Sequence, residues 1–439
     1  MKTLRLLPLS LAITAALAIP AQAQSLLDLY QSAKTFDANY QSAKSLYLAN
    51  VARGEQARAG LLPNIGFGLA ANRIDSGSNL ANFERNYGNQ TATLSASQPV
   101  YRPANVAAAE QGKKLAELAQ AQLISAYQDL IVRVSQAYFD VLAAEDNLAL
   151  VKAQRTAVSE QLASARRNFE VGTSTITDTR EAEARSDLVL AQEIAAENDL
   201  RVKKLALDQA TGRAGAEPKP LLVPVVLPPI LPDQVAPWVA ESQELSPAIV
   251  QAELNLEIAQ LETQKAQAGH KPTLDLIGSY NVTHNNGSAI ATQDYRTNVA
   301  AVSLSFNLPL FAGFAIQNRV KETVALEEKS RSDLDAATRG VAQNTRAAFF
   351  GVQSGLGQVK ALEAAEVSSQ SLLDATKLGY EVGVRINIDV LNAQTTLFDT
   401  KAKLARARYD VLVGELRLRQ ANGSLKEEDI YPINALLAP

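Results

Sequence analysis

The spacing of apolar residues along this chain switches between two periods, and the order of the switches recurs. Apolar and small residues follow helical spacing from Leu26 to about Ala59, through Leu29, Ala33, Phe36, Tyr40, Ala43, Tyr47 and Val51. Gly60 and Pro63 stop that helix. From Ile65 the period drops to two: Ile65, Phe67, Leu69 and Ala71 alternate with Asn64, Gly66, Gly68 and Asn72. A polar stretch, Arg73 to Gly88, reads as a loop, after which Ala92, Leu94 and Ala96 alternate with Thr91, Thr93, Ser95 and Ser97. The pattern predicts a hairpin of two strands of about 10 residues, the length of a membrane-crossing β-strand.

Pro103 suits a first helical turn, and the helical pattern then runs to Phe169 with only Gly112 interrupting it. Leu148, Val151, Val158, Leu162, Ala165 and Phe169 make a coiled-coil seam, with Arg155 its one polar member. Such a helix is about 100 Å long. The return helix, Asp178 to Gln209, covers about half of that. The helix at 26–59 has nearly the missing length, so the two short helices are expected end to end beside the long one. Ala214 to Pro237 is rich in proline and reads as an extended strap.

The whole series then repeats. A helix starts at Pro247 and ends at Gly269. Leu274, Leu276, Gly278, Tyr280 and Val282 alternate with polar residues, the pattern slipping at Ile277. A loop is expected over about His284 to Arg296, and Val302, Leu304, Phe306 and Leu308 alternate beyond it. Ala137-Tyr-Phe-Asp-Val141 returns as Ala348-Phe-Phe-Gly-Val352, and Gln209-Ala-Thr-Gly212 as Gln420-Ala-Asn-Gly423. The chain is therefore a tandem repeat at an offset of 209–211 residues. The expected organisation is a signal peptide over 1–23, a first repeat over 24–213, a linker over 214–237, a second repeat over 238–423 and a short, peripheral tail over 424–439.

Composition narrows the class. Lys2 and Arg5, the apolar run Leu6 to Ile19 and Ala21-Gln22-Ala23 form a secretory signal. No other run reaches the roughly 18 apolar residues of a spanning helix, so any membrane crossing is by β-strands. A net charge of −4 over 439 residues argues against a nucleic-acid partner. The absence of cysteine excludes disulfides, thiolate metal sites and a lipid-bearing N-terminal cysteine. His270 and His284 are too isolated for a metal or catalytic site. With no phosphate-binding glycine loop and no acid/base pair, no cofactor and no enzymatic activity are expected. Tyr87, Tyr101, Tyr280, Tyr295 and Phe311 lie near expected strand ends, where they suit an aromatic girdle or stand as ordinary surface aromatics.

Four amphipathic strands per chain cannot close a barrel, and an open sheet edge cannot face lipid. Two copies give about 8 strands and three give about 12, within the range of membrane barrels. Each repeat also carries a helical reversal: Phe169-Glu-Val-Gly172 before Asp178, and Tyr380-Glu-Val-Gly383 before Asp389. Gly172 and Gly383 follow the last periodic residue, where a helix ends in a turn, and each aspartate opens the next helix. Asp178 with Glu181 fits a D-x-x-E capping box, and both aspartates suit capping and the helix dipole. Arg385 by itself reads as a solvated loop charge.

These two tips, Leu61-Leu-Pro63, Lys271-Pro-Thr-Leu-Asp275 and Leu304-Ser-Phe-Asn-Leu-Pro309 resemble the TolC family of outer-membrane channel-tunnels, over residues 24 to about 425. The resemblance implies a fold that is mainly α with β. A homotrimer would share one membrane β-barrel in outer-membrane lipid, four strands per chain, continuing into a long periplasmic α-helical barrel. It implies a passive exit duct that docks with an inner-membrane transporter, of ABC or RND type, and a periplasmic adaptor, in type I protein secretion or drug efflux. It also assigns a gate: an acidic ring at Asp389, a second ring position at Asn392, which is neutral in this chain, and restraints at Arg385, Tyr380, Thr177 and Asp178. The competing classes are a trimeric coiled-coil adhesin or structural anchor, and an outer-membrane enzyme. The strands in the middle of each repeat, rather than at one chain end, disfavour the adhesin.

Overall fold

A computed structural model of the chain describes residues 23–78, 83–288 and 292–438, so almost all of the expected signal peptide lies outside the described residues. The elements are, in order, α1 (Leu26–Phe36), α2 (Ala38–Ala59), β1 (Asn64–Ser78), β2 (Phe83–Tyr101), α3 (Pro103–Glu170), α4 (Ile176–Thr211), α5 (Val235–Leu245), α6 (Pro247–Gln267), β3 (Thr273–Asn286), β4 (Asp294–Asn307), α7 (Ala315–Glu381), α8 (Asn387–Asn422) and α9 (Ile430–Asn434). The chain divides into two compact units, one of residues 1–42, 124–246 and 339–439, the other of residues 43–123 and 247–338. Each unit draws on both halves of the sequence repeat.

In the second unit the strands form one antiparallel sheet, ordered β1-β2-β3-β4. Because side chains alternate across the pleat, the register sorts them onto two faces. Phe67, Leu94, Tyr280 and Ala300 align on one face, next to Ile65, Ala96, Gly278 and Val302. Gly66, Ser95, Ser279 and Ala301 align on the other. The apolar face is bare: Phe67 is 69% exposed, Leu69 76% and Val302 81%, far from the fate of such residues in a water-soluble core. Ile277, where the alternation slips, sits on the polar face between Ser97 and Ser303, with no break in the ladder. The irregularity falls instead between Pro99 and Tyr101. Beside it, Arg102 clamps Asp275 through two hydrogen bonds of 2.6 and 2.7 Å. Tyr101 and Tyr280 share the apolar face, whereas Tyr87 and Tyr295 belong to the opposite one, so the expected aromatics do not form one set.

The strands outrun their apolar pattern. Pairing continues from Arg73↔Gly88 to Ser78↔Phe83, and from His284↔Arg296 to Asn286↔Asp294, through the stretches expected to be loops. Ladder hydrogen bonds need no apolar side chains, and Asn72–Asn89 at 3.0 Å and Arg73–Asn86 at 2.9 Å bridge the first hairpin where it turns polar. Elsewhere in this unit α2 and α3 cross at two glycines: a Cβ on Gly112 would lie 2.9 Å from Ala57 Cβ and 3.0 Å from Gly54 Cα.

The first unit holds the main core. Leu26, Leu29 and Tyr30 of α1 pack with Leu130, Ile131, Val134, Tyr138 and Phe139 of α3 and with Leu412 and Leu416 of α8. The expected single helix at 26–59 is two, broken at Asp37, whose extended backbone (φ −60°, ψ 117°) ends α1. The second repeat does the same at Ser246 (φ −65°, ψ 119°) between α5 and α6, so α5, with its buried Trp238, is the counterpart of α1 and was not expected from the pattern. Both breaks abut a left-handed glycine that ends a longer helix. Gly212 (φ +70°) caps α4 against the ring of Phe36, and Gly423 (φ +87°) caps α8 against the Leu245 carbonyl, where no side chain fits. The tail is not peripheral: Leu425, Ile430, Ile433 and Leu437 are buried in the main core, and Leu221 of the proline-rich segment pairs with Leu437. Arg155, the polar member of the α3 seam, is itself exposed and bonds the buried Glu193 of α4 at 2.7 Å, which accounts for a carboxylate at a buried position.

Among the described residues no helix is long and apolar enough to cross a membrane.

Candidate functional site: the two helical tips

Both tips are built the same way. In the first, Gly172 takes φ +79° and the Thr173 N–H reaches back to the Asn168 carbonyl at 2.8 Å. In the second, Gly383 takes φ +80° and the Val384 N–H reaches the Gly379 carbonyl at 2.9 Å. This is the hydrogen-bond pattern of a helix ended by a left-handed glycine, and it sends the next helix back along the first. Apolar contacts then zip each pair. Val158 and Ala165 of α3 meet Ala182 and Val189 of α4, with Leu391 of α8 in the same cluster. Leu373 of α7 meets Val390, Ala393 and Leu397 of α8.

The caps differ. Thr175 is the N-cap of α4, and Asp178, three residues on, completes a reciprocal capping box, so Asp178 opens the helix as the partner of the cap and not as the cap itself. Its carboxylate accepts from Ser174 Oγ at 2.7 Å, Thr175 Oγ1 at 2.8 Å and Thr175 N at 3.0 Å. Burial pushes its pKa up, but these hydrogen bonds outweigh burial and hold the carboxyl below its ordinary range. In α8 the N-cap is Ile386, which has no side-chain acceptor to offer. Asp389 therefore has a long 3.5 Å contact from the Ile386 N–H and a 3.6 Å ion pair with Arg385 Nη1. Arg385 lies across Gly379, where a Cβ would meet its Cγ at 2.8 Å.

Within one chain, Arg385 is thus joined to Asp389 and not to Thr177 or Asp178, and Thr177 is exposed. The links between the hairpins join Tyr380, Asp178 and Asn392, which the sequence singled out, to partners it did not: Asn168, Asn387 and Arg185. Tyr380 Oη accepts from Asn168 Nδ2 at 3.0 Å. Asn387, 1% exposed, donates to the Asp178 carbonyl at 3.2 Å and accepts from Gln161. Asn392 Oδ1 accepts from Arg185 at 3.1 Å. One signal was readable for Asn387: it is the first residue of its helix, where the other repeat has the apolar Ile176. Glu183 holds Arg166 at 2.9 Å and Arg180 at 2.8 Å, and these hydrogen bonds lower its pKa.

The geometry is that of paired helical reversals and an amphipathic sheet; among the described residues no group of three or more His, Asp or Glu is placed to hold a metal ion. Residues 29–213 and 238–424 each match the family model described as outer membrane efflux protein. The chain is 32% identical to Outer membrane protein TolC of Vibrio cholerae, over 98% of each chain. It is 30% identical to the Proteases secretion protein PrtF of Dickeya chrysanthemi, over 94% of this chain and 91% of that one. Its fold matches the Campylobacter jejuni CmeC outer membrane channel with a TM-score of 0.81 at 15% identity, over 94% of this chain and 90% of that one. The chain belongs to the outer membrane efflux protein family: it is a TolC-like outer-membrane efflux and secretion channel, and not an enzyme.

Proposed function

We propose that this chain is the exit duct of a tripartite export system, working as a homotrimer that docks with an inner-membrane transporter, of ABC or RND type, and a periplasmic adaptor. The observation that carries the shared barrel is the sheet. Its outer strands β1 and β4 each have one unpaired edge, and its apolar face is exposed in a single chain. An unpaired edge cannot face hydrocarbon, so β4 of one copy must pair with β1 of the next until the barrel closes. Three copies bring about twelve strands.

The helical tips of three copies form the gate. Asp389 supplies the acidic ring, with Asn392 one turn on, and Gly172 and Gly383 make the turns. Arg385, Tyr380, Thr177 and Asp178 restrain hairpins against their neighbours. What favours Asp389 over Asp178 as the ring is its lighter commitment: Asp178 Oδ2 accepts three hydrogen bonds at its own cap, whereas Asp389 has one long contact and an ion pair at 3.6 Å. The names of the protease secretion proteins among the relatives support secreted protein as a cargo class, alongside drugs.

The assembly is tested by light scattering of detergent-solubilised protein, together with heat-modifiable gel migration. The expected mass is that of three chains; a stable monomer or dimer overturns the shared barrel.

A further inference from the structure

The seam between α4 and α8 holds a cation that the gate described above leaves unused. α8 buries Val390, Leu391, Ala393, Gln394 and Leu397. Asp389, Asn392, Thr396 and Asp399, at three- and four-residue spacing, are left along its open side. Arg185 reaches this stripe from α4, its Nη2 donating to Asn392 Oδ1 at 3.1 Å. Of the other arginines of this region, Arg155, Arg166 and Arg180 are each paired with a glutamate of α4, and Arg385 is paired with Asp389. Among the described residues no carboxylate lies within ion-pair distance of Arg185. An amide oxygen accepts its hydrogen bond without cancelling its charge. The guanidinium is therefore fixed, with its charge intact, at the level of Asn392 and one helical turn from Asp389.

We infer that Arg185 determines the ion selectivity of the tip, offsetting the acidic ring with an equal number of fixed positive charges. The inference rests on the reading of Asp389 as the ring. Asn392 is the positioning partner: it aims the guanidinium along the stripe while leaving it charged. A corollary follows for the neutral position itself. A carboxylate at 392 would form a charge-assisted pair with Arg185, so an acid there does not build a second acidic ring while Arg185 is present.

The test is the reversal potential of purified trimers in planar bilayers under a low-salt KCl gradient, with hexaamminecobalt(III) as a blocking probe. Arg185→Gln should raise the potassium-to-chloride permeability ratio roughly tenfold, because a unit charge at about 6 Å in water favours one ion and disfavours the other by about threefold each. Arg185→Lys keeps the charge and should keep the ratio. Asn392→Asp alone should change trivalent block little, whereas Asn392→Asp with Arg185→Gln should deepen it. Asp389→Asn separates the two readings. If Asp389→Asn lowers cation selectivity but Arg185→Gln leaves it unchanged, Arg185 has no such role. Equal deepening of block by Asn392→Asp with and without Arg185 overturns that role as well. If neither Asp389→Asn nor Arg185→Gln moves the ratio, the acidic ring itself is absent, and the inference falls with it. Unaltered gel migration of the trimer confirms that each variant assembles.

Discussion

Asn387→Leu tests what keeps the two hairpins of one chain together. Asn387 is the first residue of α8, and its buried amide joins α8 to the Asp178 carbonyl of α4 and to Gln161 of α3. Leucine has the same number of side-chain heavy atoms but bulkier methyl groups, so at this buried position some overpacking adds to the loss of the two hydrogen bonds. Each is worth about 0.5–1.5 kcal/mol net, which gives about 2 kcal/mol per chain for the two. The Asp178 carbonyl keeps its place in the α4 ladder and Gln161 is only half-buried, so neither partner adds a full penalty for being stranded. If opening parts α8 from α4, about 2 kcal/mol shifts the closed-to-open balance roughly thirtyfold. Single-channel recording in planar bilayers should then show higher mean conductance or frequent long openings at voltages where the parent channel is quiet. Tyr380→Phe, which removes one more exposed link to Asn168, should do the same to a smaller extent. Asn387→Leu trimers with parental conductance and gating would refute the idea that this link belongs to the closed state.

Two further outcomes follow from the caps and the helix crossings. The Asp178 pKa is lowered in the folded tip, so its stabilising contribution is present above the ordinary carboxylate range and is lost as pH falls through the folded value. A spin label on Thr173→Cys, unique in a cysteine-free chain, should therefore loosen only in acid, and Thr175→Ala, which costs about 1 kcal/mol of cap, should loosen it already at neutral pH. Gly112→Ala should lower the temperature of thermal unfolding although alanine is the better helix former, because its methyl must push α2 away at a crossing with Gly54 and Ala57; overpacking of this kind costs about 1–3 kcal/mol.

Periodicity made most of the architecture legible. The alternation at 65–71 and 91–97 marks which strand face is apolar, and the long stretch from Pro103 to Phe169 marks α3, since both signals are local and reinforced at every residue. The misses come where geometry is set by something other than side-chain polarity. β1 runs on from Arg73 to Ser78, paired with Phe83 to Gly88 of β2, because backbone pairing, once in register, extends through polar residues. The break at Asp37 uses neither glycine nor proline, whereas Ser246 is turned out of the helix by Pro247 after it; the glycine caps of α4 and α8 that both breaks abut lie far off in sequence. At the tips the turns were readable, but the cross-hairpin partners were not. Whether Arg185 meets Asn392 depends on the register of α4 against α8, which is set by Leu391 packing among Val158, Ala182 and Val189.

The duplication also shows where the two halves have parted company. Each tip places a residue four before its aspartate to hold that carboxylate: Ser174 for Asp178 at 2.7 Å, and Arg385 for Asp389 at 3.6 Å. Each helix has its N-cap three before the aspartate, Thr175 in one and Ile386 in the other. In the first repeat, hydroxyls and a backbone N–H draw the carboxylate into the cap, and the chemistry is spent on holding the turn. In the second, the cap is apolar and the short hydroxyl is replaced by a long cation, so the carboxylate is left partly free and its partner is a charge on a flexible stem. Short charge-assisted hydrogen bonds from a cap are a fixed structural element, whereas an exposed ion pair at 3.6 Å is weak and screened by salt. The same scaffold thus yields one tip whose aspartate is committed to structure and one whose aspartate can exchange partners. A gate needs both, a rigid hairpin to move against and a loosely held charge that can be bound by a neighbour, a cation or an incoming partner.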